Sequence, residues 1–236
     1  MNADGSDDRT LVPAQAKGER AENPTWTPDG QTIYFAHDVP IIQGERYTGD
    51  TLTIDKVDLS GGPPQTVVKD AIFPTISRAG NLAWVIYNVN DSSFKLMVGQ
   101  LDGSQGKTLL TDRDFQGVYS PELAPDGKTL LFAGDGRSDS KVAGVGSAIA
   151  DALNPLVPGR AEAHGLPWDP WVISVDSGGL KKLASIGSDE MALAWSPDGS
   201  EVAFSNLSST YLMRADGSGL TRLLTRGDPG GLDWKP

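Results

Sequence analysis

The chain of 236 residues contains no cysteine and only two histidines. Without cysteine it forms no disulfide, thiolate metal site or cysteine nucleophile. Two histidines, neither at a helical spacing from other ligands, do not make a tetrahedral zinc site. No apolar run reaches the roughly 20 residues that cross a bilayer, so the sequence predicts no membrane-spanning helix.

Positive charge is also scarce. The chain has 20 Lys and Arg against 31 Asp and Glu, which gives a net charge of −11. Such a surface repels phosphate backbones, so nucleic acid is excluded as an expected partner. Glycine and proline are plentiful instead, with 28 Gly and 16 Pro spread along the chain, and this favours many tight turns.

A Pro-Asp-Gly motif occurs three times, at residues 28–30, 125–127 and 197–199. Each copy lies between a half-apolar run and an apolar run, so each unit predicts a strand, a tight turn and a second strand. A degenerate copy at 74–87 has Arg-Ala-Gly in place of Pro-Asp-Gly, and its Gly80 is expected where a positive φ is needed. A fifth copy, GLDWKP, begins at residue 231.

A second motif alternates with the first. It consists of a strand that ends near an Asp, a Gly-containing turn, and a short strand ending like "TLL" or "RLL". Together the two motifs make a unit of four short antiparallel strands, here called A, B, C and D. Units of this kind, repeated about every 40 residues, are typical of propeller blades. The sequence therefore predicts an all-β fold, a β-propeller of four-stranded antiparallel blades.

The repeat spacing predicts one propeller domain over residues 1–236, with four complete blades at about 21–68, 69–110, 111–185 and 186–225. Insertions at 37–50 and 134–170 both fall between strands B and C, so both are expected at the same end of the blades. A short helix is expected only in the second insertion, at "SAIADAL".

The two ends of the chain carry the remaining pieces of the repeat. Residues 4–12 supply a C–D turn and strand D, and residues 231–234 supply strand A, so a partial fifth blade formed by both termini is expected. We also expect the natural chain to begin upstream of Met1, with the missing strands, the alternative being a complete chain with a two-stranded fifth blade. The alternative to the whole five-blade arrangement is a fragment of a six-bladed ring.

The segment "WSPDGSEVAF" at 195–204 resembles the repeat W-S-P-D-G-x-x-[IVL]-[AV]-F of the TolB-like, WD-like propeller family. The segment "WTPDGQTIYF" at 26–35 departs from it at Thr27 and Tyr34. The resemblance implies the propeller fold and a periplasmic or extracellular location. It leaves function open, because such repeats occur in periplasmic scaffolds, sensor ectodomains and the gating propellers of peptidases.

Two sets of candidate site residues follow. The residue that ends strand A serves as the marker of each blade, and these markers are Trp26, Ile76, Leu123, Trp195 and Trp234. Three Asp residues share one position, six residues before the marker, in loops expected near the central channel. They would form a site for a divalent cation such as calcium, or a socket for a basic peptide, the alternative being ordinary turn residues. The metal candidates are Asp70, Asp189 and Asp228, and the candidates for contact with a partner are Trp168, His164, His37, Tyr47 and Arg20.

No catalytic residue is predicted. Ser147 lacks the second glycine of a nucleophile elbow and is expected to cap the short helix. The sequence therefore favours a non-enzymatic scaffold that binds a protein or peptide and needs no cofactor. The alternatives are a propeller hydrolase or lyase that uses a channel-bound cation, and the accessory propeller of a larger peptidase.

Overall fold

The described part of the chain is built from β-strands and their connections. Its strands form four separate sheets, each of four antiparallel strands. The helix predicted within the second insertion lies outside the described residues. In this computed structural model the described residues are 6, 8–88, 90–136, 168–188, 190–227 and 231–234.

Each sheet takes four strands that follow one another in the chain, which confirms the predicted four complete blades. Blade 1 contains β1 (Arg20–Trp26), β2 (Thr32–Gln43), β3 (Arg46–Asp58) and β4 (Gln65–Lys69). Blade 2 contains β5 (Ala71–Ile76), β6 (Asn81–Tyr87), β7 (Phe94–Gln100) and β8 (Lys107–Thr111). Blade 3 contains β9 (Phe115–Leu123), β10 (Thr129–Gly136), β11 (Asp169–Ser174) and β12 (Leu180–Lys182). Blade 4 contains β13 (Ala192–Trp195), β14 (Glu201–Ser205), β15 (Thr210–Arg214) and β16 (Thr221–Leu224).

The Pro-Asp-Gly copies form the turns between strands A and B. In the third copy the Asp198 carboxylate accepts hydrogen bonds from the Ser200 N–H (3.0 Å) and the Ser196 hydroxyl (2.7 Å). These bonds favour the charged carboxylate and lower the pKa of Asp198 to about 2. Gly80 of the degenerate copy has a φ of 84°, which confirms why glycine is kept there.

Side chains alternate between the two faces of a blade, and both faces are buried where blades adjoin. In β10, Phe132 belongs to the core shared with blade 2 and Leu131 to the core shared with blade 4, and neither is exposed to solvent. Burying such a side chain stabilises the fold by about 1.5–3 kcal/mol. Apolar packing at the seams between blades therefore holds the propeller together, while the regular ladders of backbone hydrogen bonds lie within each sheet.

Strands A contact one another in the order β1, β5, β9 and β13, and so line the axis of the propeller. Side chains on these strands connect successive blades. The Thr75 hydroxyl oxygen of blade 2 accepts the N–H of Leu123 in blade 3, at 3.3 Å. One step back, the Thr25 hydroxyl oxygen of blade 1 accepts the N–H of Ile76 in blade 2, at 3.2 Å.

A tryptophan at the end of strand A makes the same bond in two places. The Trp195 indole N–H donates to the Glu122 carbonyl of the preceding blade (3.1 Å), and the Trp234 indole N–H donates to the Ala194 carbonyl of blade 4 (3.3 Å). Trp234 therefore occupies the strand A position of a fifth blade. The sequence predicts that the tryptophans at the ends of strands A bury their apolar faces between blades. Trp26 has no blade before it among the described residues and is 52% exposed, so this prediction is wrong for Trp26.

The amino-terminal segment makes the corresponding contact of a strand D. Lys107 of blade 2 donates to the Val175 carbonyl at the C–D turn of blade 3 (2.6 Å), and Arg9 donates to the Leu59 carbonyl at the C–D turn of blade 1 (2.6 Å). Both termini thus lie at fifth-blade positions. However, residues 8–19 and 231–234 form no strand, so the expected pairing between them is absent from this described part of the chain.

Candidate functional site

The upper end of the propeller, defined as the end that carries the B–C connections and the loops between blades, holds most of the predicted site residues. The first insertion, residues 37–50, is a continuation of β2 and β3 as a two-stranded ribbon. Three large apolar side chains on this ribbon are exposed: Ile41 at 42%, Ile42 at 53% and Tyr47 at 57%. The second insertion lies mostly outside the described residues, between Gly136 and Trp168.

A cleft of about 340 Å³ opens at the upper end between blades 1 and 2, and we call it the interblade cleft. Asp70 lies between the two blades, where its N–H donates to the Leu52 carbonyl (2.8 Å) and its carbonyl accepts the Tyr87 N–H (2.9 Å). The backbone of Asp70 has a φ of 53°, a conformation that Asp and Asn tolerate better than most residues. The residues that line the cleft are Asp50, Leu52, Asp70, Ile86, Tyr87, Asn88 and Asn90.

A network of charged and polar groups lies beside the cleft on blade 1. The Arg20 guanidinium pairs with Asp38 and lies 3.6 Å from the Glu22 carboxylate. The hydrogen bond to Asp38, together with its negative charge, raises the pKa of Arg20. The Tyr47 hydroxyl donates to Asp50, and this bond raises the pKa of Tyr47. The network fixes the base of the ribbon, so Asp50 is held at the edge of the cleft.

His37, a predicted contact residue in the first insertion, does not lie in an exposed loop. His37 lies within β2, and its two ring nitrogens lie 2.7 Å from Asp55 and 2.8 Å from Glu19. Its side chain is 15% exposed. His37 is therefore engaged on both sides by carboxylates, on the face of blade 1 that turns away from blade 2.

Trp168 packs inside blade 3. Its backbone N–H donates to the Ser188 carbonyl (2.8 Å), and its ring lies 6.3 Å from the ring of Tyr119 between centroids. A Cβ atom at Gly117 would lie 2.6 Å from the Trp168 ring, so glycine is needed for this close approach. The half-buried ring thus packs against the core shared by blades 3 and 4. Its contact with a partner stays a prediction.

A further acidic group, which was not predicted from the sequence, lies on an inner strand. Glu122 of β9 accepts a hydrogen bond from the Thr75 hydroxyl at 3.1 Å. Burial raises the pKa of Glu122 to about 7, the bond from Thr75 opposes this, and the charge of Asp233 adds to it. The sequence does contain a signal for this group, since Glu122 is a charged residue directly before Leu123 at the end of strand A, and strands A line the axis of the propeller.

The structure brings the predicted residues together only in part. Arg20, Tyr47 and Asp70 surround the interblade cleft or its adjoining network, whereas Trp168 lies in blade 3. Three predicted residues, His164, Asp189 and Asp228, lie outside the described residues. Within the described residues no cluster of three His, Asp or Glu side chains is arranged to hold a metal ion. The cation site therefore stays a prediction.

Comparison with known proteins supports the fold. No protein-family model and no curated protein sequence matches the chain. A structure assigned as TolB from Agrobacterium tumefaciens is similar, with a TM-score of 0.55 and 14% identity over 92% of this chain and 86% of that one. The β-propeller domain of the trilobed protease from Pyrococcus furiosus has a TM-score of 0.52 and 12% identity over 88% of this chain and 58% of that one.

A third similar structure is an oligogalacturonate lyase in complex with manganese. Its TM-score is 0.57, at 12% identity over 91% of this chain and 55% of that one. The chain thus spans less than two thirds of the protease and lyase chains. At these identities the likeness establishes a propeller and leaves the activity open, because both enzymes and a TolB structure share it. The described residues include no helix long and apolar enough to cross a membrane.

Proposed function

We propose that this protein is a non-enzymatic propeller scaffold that binds a protein or peptide at its upper end, through a basic side chain of the partner. The observation that carries the proposal is the convergence of Asp50 and Asp70 on the interblade cleft. The remaining polar lining of the cleft includes two Asn residues, Asn88 and Asn90, whose amide oxygens also accept hydrogen bonds. A Lys or Arg side chain supplies a positive charge and several N–H donors to the two carboxylates.

The ribbon of residues 37–50 adds an apolar surface next to these carboxylates. Exposed Ile, Tyr and similar side chains at one place mark a protein interaction site more often than single scattered ones do. Asp50 belongs both to the ribbon and to the cleft, so one partner segment can contact Ile42 or Tyr47 and place a basic side chain between Asp50 and Asp70. The net charge of −11 would attract such a partner over a longer range.

The test uses a fluorescent peptide that alternates Lys and Leu, with a Glu and Leu peptide as its counterpart. We expect the wild-type protein to bind the Lys peptide, more weakly as salt rises. The double variant D50N/D70N should lose about tenfold in affinity, since exposed charge pairs contribute roughly 0.5–1 kcal/mol each. Asn suits the positive φ of Asp70, so the fold should persist.

The matched control is D8N/D176N, which removes the same charge next to the C–D turns at the lower end. It should bind like the wild type. Equal losses in both variants would mean that the net charge alone attracts the peptide, and no binding by the wild type would remove the proposal. For location we propose the periplasm or the cell exterior, as the TolB resemblance implies, which fractionation of the producing cell checks.

A propeller hydrolase or lyase is the second candidate, favoured by Glu122. A carboxyl group with a pKa of about 7 is suited to general acid–base catalysis near neutral pH. Glu122 and Asp233 are the carboxyl groups that would bind a cation in the channel. Addition of calcium, magnesium or manganese should then raise the melting temperature of the wild type but not of E122Q. For the third alternative, an accessory propeller of a peptidase, the described residues offer no separate site to test.

A further inference from the structure

One face of blade 1 departs from the pattern of the other blades. The residue of strand C that lies opposite the large strand B residue is Met97 in blade 2, Trp171 in blade 3 and Tyr211 in blade 4. The equivalent pair in blade 1 is Asp55 opposite Phe35. A carboxylate therefore occupies a buried position where other blades place a large, mainly apolar side chain, and its side chain is 7% exposed.

His37 joins this carboxylate to the amino-terminal segment. One ring nitrogen lies 2.7 Å from Asp55 Oδ2 and the other lies 2.8 Å from Glu19 Oε1. The Glu19 side chain is 6% exposed. Its second oxygen accepts the N–H groups of Gln15 (2.6 Å) and Ala16 (2.8 Å). One carboxylate thus ties a turn of the segment to the imidazole ring.

The segment of residues 8–19 is attached to blade 1 at both of its ends. Arg9 donates to the Leu59 carbonyl at the lower end, and Glu19 bonds His37 at the upper end. The face under this segment is apolar as well as charged, since Phe35 and Val57 are each 3% exposed. In the described part of the chain no strand pairs with residues 8–19, so the bonds of Arg9 and Glu19 contribute much of the attachment of the segment.

The charge state of His37 decides how many of its bonds form. A protonated ring donates from both nitrogens, whereas a neutral ring donates from one and turns a lone pair toward the other carboxylate. Burial alone lowers the pKa of His37, but the bonds to Asp55 and Glu19 outweigh burial and raise it. The bonds from His37, Gln15 and Ala16 lower the pKa of Glu19 in turn.

The other charged groups on the elements around the His37 ring bond other residues or are exposed to solvent. From β1, Arg20 pairs with Asp38 and Glu22. From β4, Lys69 is paired with Thr53, the residue opposite His37, and is exposed. Lys17 of the segment is exposed. The groups that bond the ring directly are therefore Glu19 and Asp55.

We propose that His37 is a proton-operated latch, which holds residues 8–19 on the face of blade 1 that turns away from blade 2 while it is protonated and releases them when it loses its proton. Because the closed state binds the proton more tightly, the segment stays attached at pH 5–6. The opening constant rises as the pH passes from the ordinary value of 6.5 through the raised pKa, and then levels off. Each unit between the two pKa values multiplies the opening constant by about ten.

Amide hydrogen exchange of Gln15 and Ala16 tests the latch directly, because both N–H groups bond Glu19. After correction for the intrinsic rate, we expect protection to fall between pH 6.5 and the pKa of His37, and to be flat above it. H37Q should show lower protection with no step. H164Q makes the same change at the other histidine and should keep the wild-type profile.

A wild-type profile without a step between pH 6 and 9, or the same step in H37Q, would overturn the proposal. If H37Q fails to fold, a second measurement decides. In H164Q the only histidine left is His37, so the NMR signal of its ring Cε1–H gives its pKa without assignment. A value above 6.5 that coincides with the midpoint of the loss of protection supports the latch, and a value at or below 6.5 overturns it.

Discussion

Replacement of Glu122 by Gln should change the pH dependence of stability. The pKa of this carboxyl group is raised from 4.5 to about 7, so between these values the folded protein holds a proton that the unfolded chain has released. Stability therefore falls as pH rises from 4.5 to 7, since ionising the buried carboxyl disfavours the folded state. Gln keeps an oxygen that accepts the Thr75 hydroxyl and cannot ionise.

The size of the effect follows from the shift. A difference of about 2.5 units corresponds to at most about 3.4 kcal/mol, at about 1.36 kcal/mol per unit. Because Glu122 retains some contact with solvent, we expect about 2 kcal/mol. E122Q should then be about 2 kcal/mol more stable than the wild type at pH 8 and equal to it at pH 4.

Urea unfolding at pH 4, 6 and 8 measures this difference. The melting temperature at pH 8 should rise by about 4–8 °C for a protein of this size. E201Q is the matched control, since it makes the same chemical change on β14 and its stability should parallel that of the wild type. A constant difference between E122Q and the wild type at all three pH values would refute the account of Glu122, because a packing change alone does not titrate.

Three further predictions concern the seams and turns. G117A should destabilise the fold by about 1–3 kcal/mol in urea unfolding, because its Cβ meets the Trp168 ring at 2.6 Å, and the second change W168L should restore part of the loss. W195F and W234F should each cost about 1 kcal/mol, since each removes one indole bond to a preceding strand A, and a loss in W195F alone would argue against a fifth-blade position for Trp234. D198N should flatten the loss of stability on acidification from pH 3.8 to 2. The lowered pKa of Asp198 contributes stability that is complete above about pH 3.8 and is lost as the pH falls to about 2. The same loss of stability in D198N and the wild type over this range would contradict the prediction.

The sequence was sufficient to predict the blades because turn residues act locally. Pro, Asp and Gly impose the reversals between strands whatever the rest of the chain does, and the φ of Gly80 shows the same constraint in the degenerate copy. Where the connections are short, the order of the strands within a sheet then follows, and in blade 3 the repeat pattern predicts the same order across the long insertion. For this reason the fold and the four complete blades could be predicted in advance.

The site could be predicted only in part, because its properties arise between blades. The pKa of Glu122 depends first on burial, and then on Thr75 of β5 and on Asp233 of the carboxy-terminal segment. Asp70 could be selected as a loop carboxylate, but its neighbour in the cleft, Asp50, comes from a ribbon whose register no local motif sets. Likewise His37 reads as a loop residue until β2 is seen to continue through the insertion.

Polar groups concentrate where the symmetry of the propeller is broken. Blades 2, 3 and 4 each meet a preceding blade, and each fills that seam with large side chains such as Trp84, Phe132 or Phe204. Blade 1 meets none among the described residues, and there Trp26 is exposed. On this face a carboxylate and a histidine do not disrupt apolar packing between two blades, because residues 8–19 contact it through side-chain hydrogen bonds. The exceptional blade is thus the one able to combine a releasable segment, a projecting ribbon and an acidic cleft.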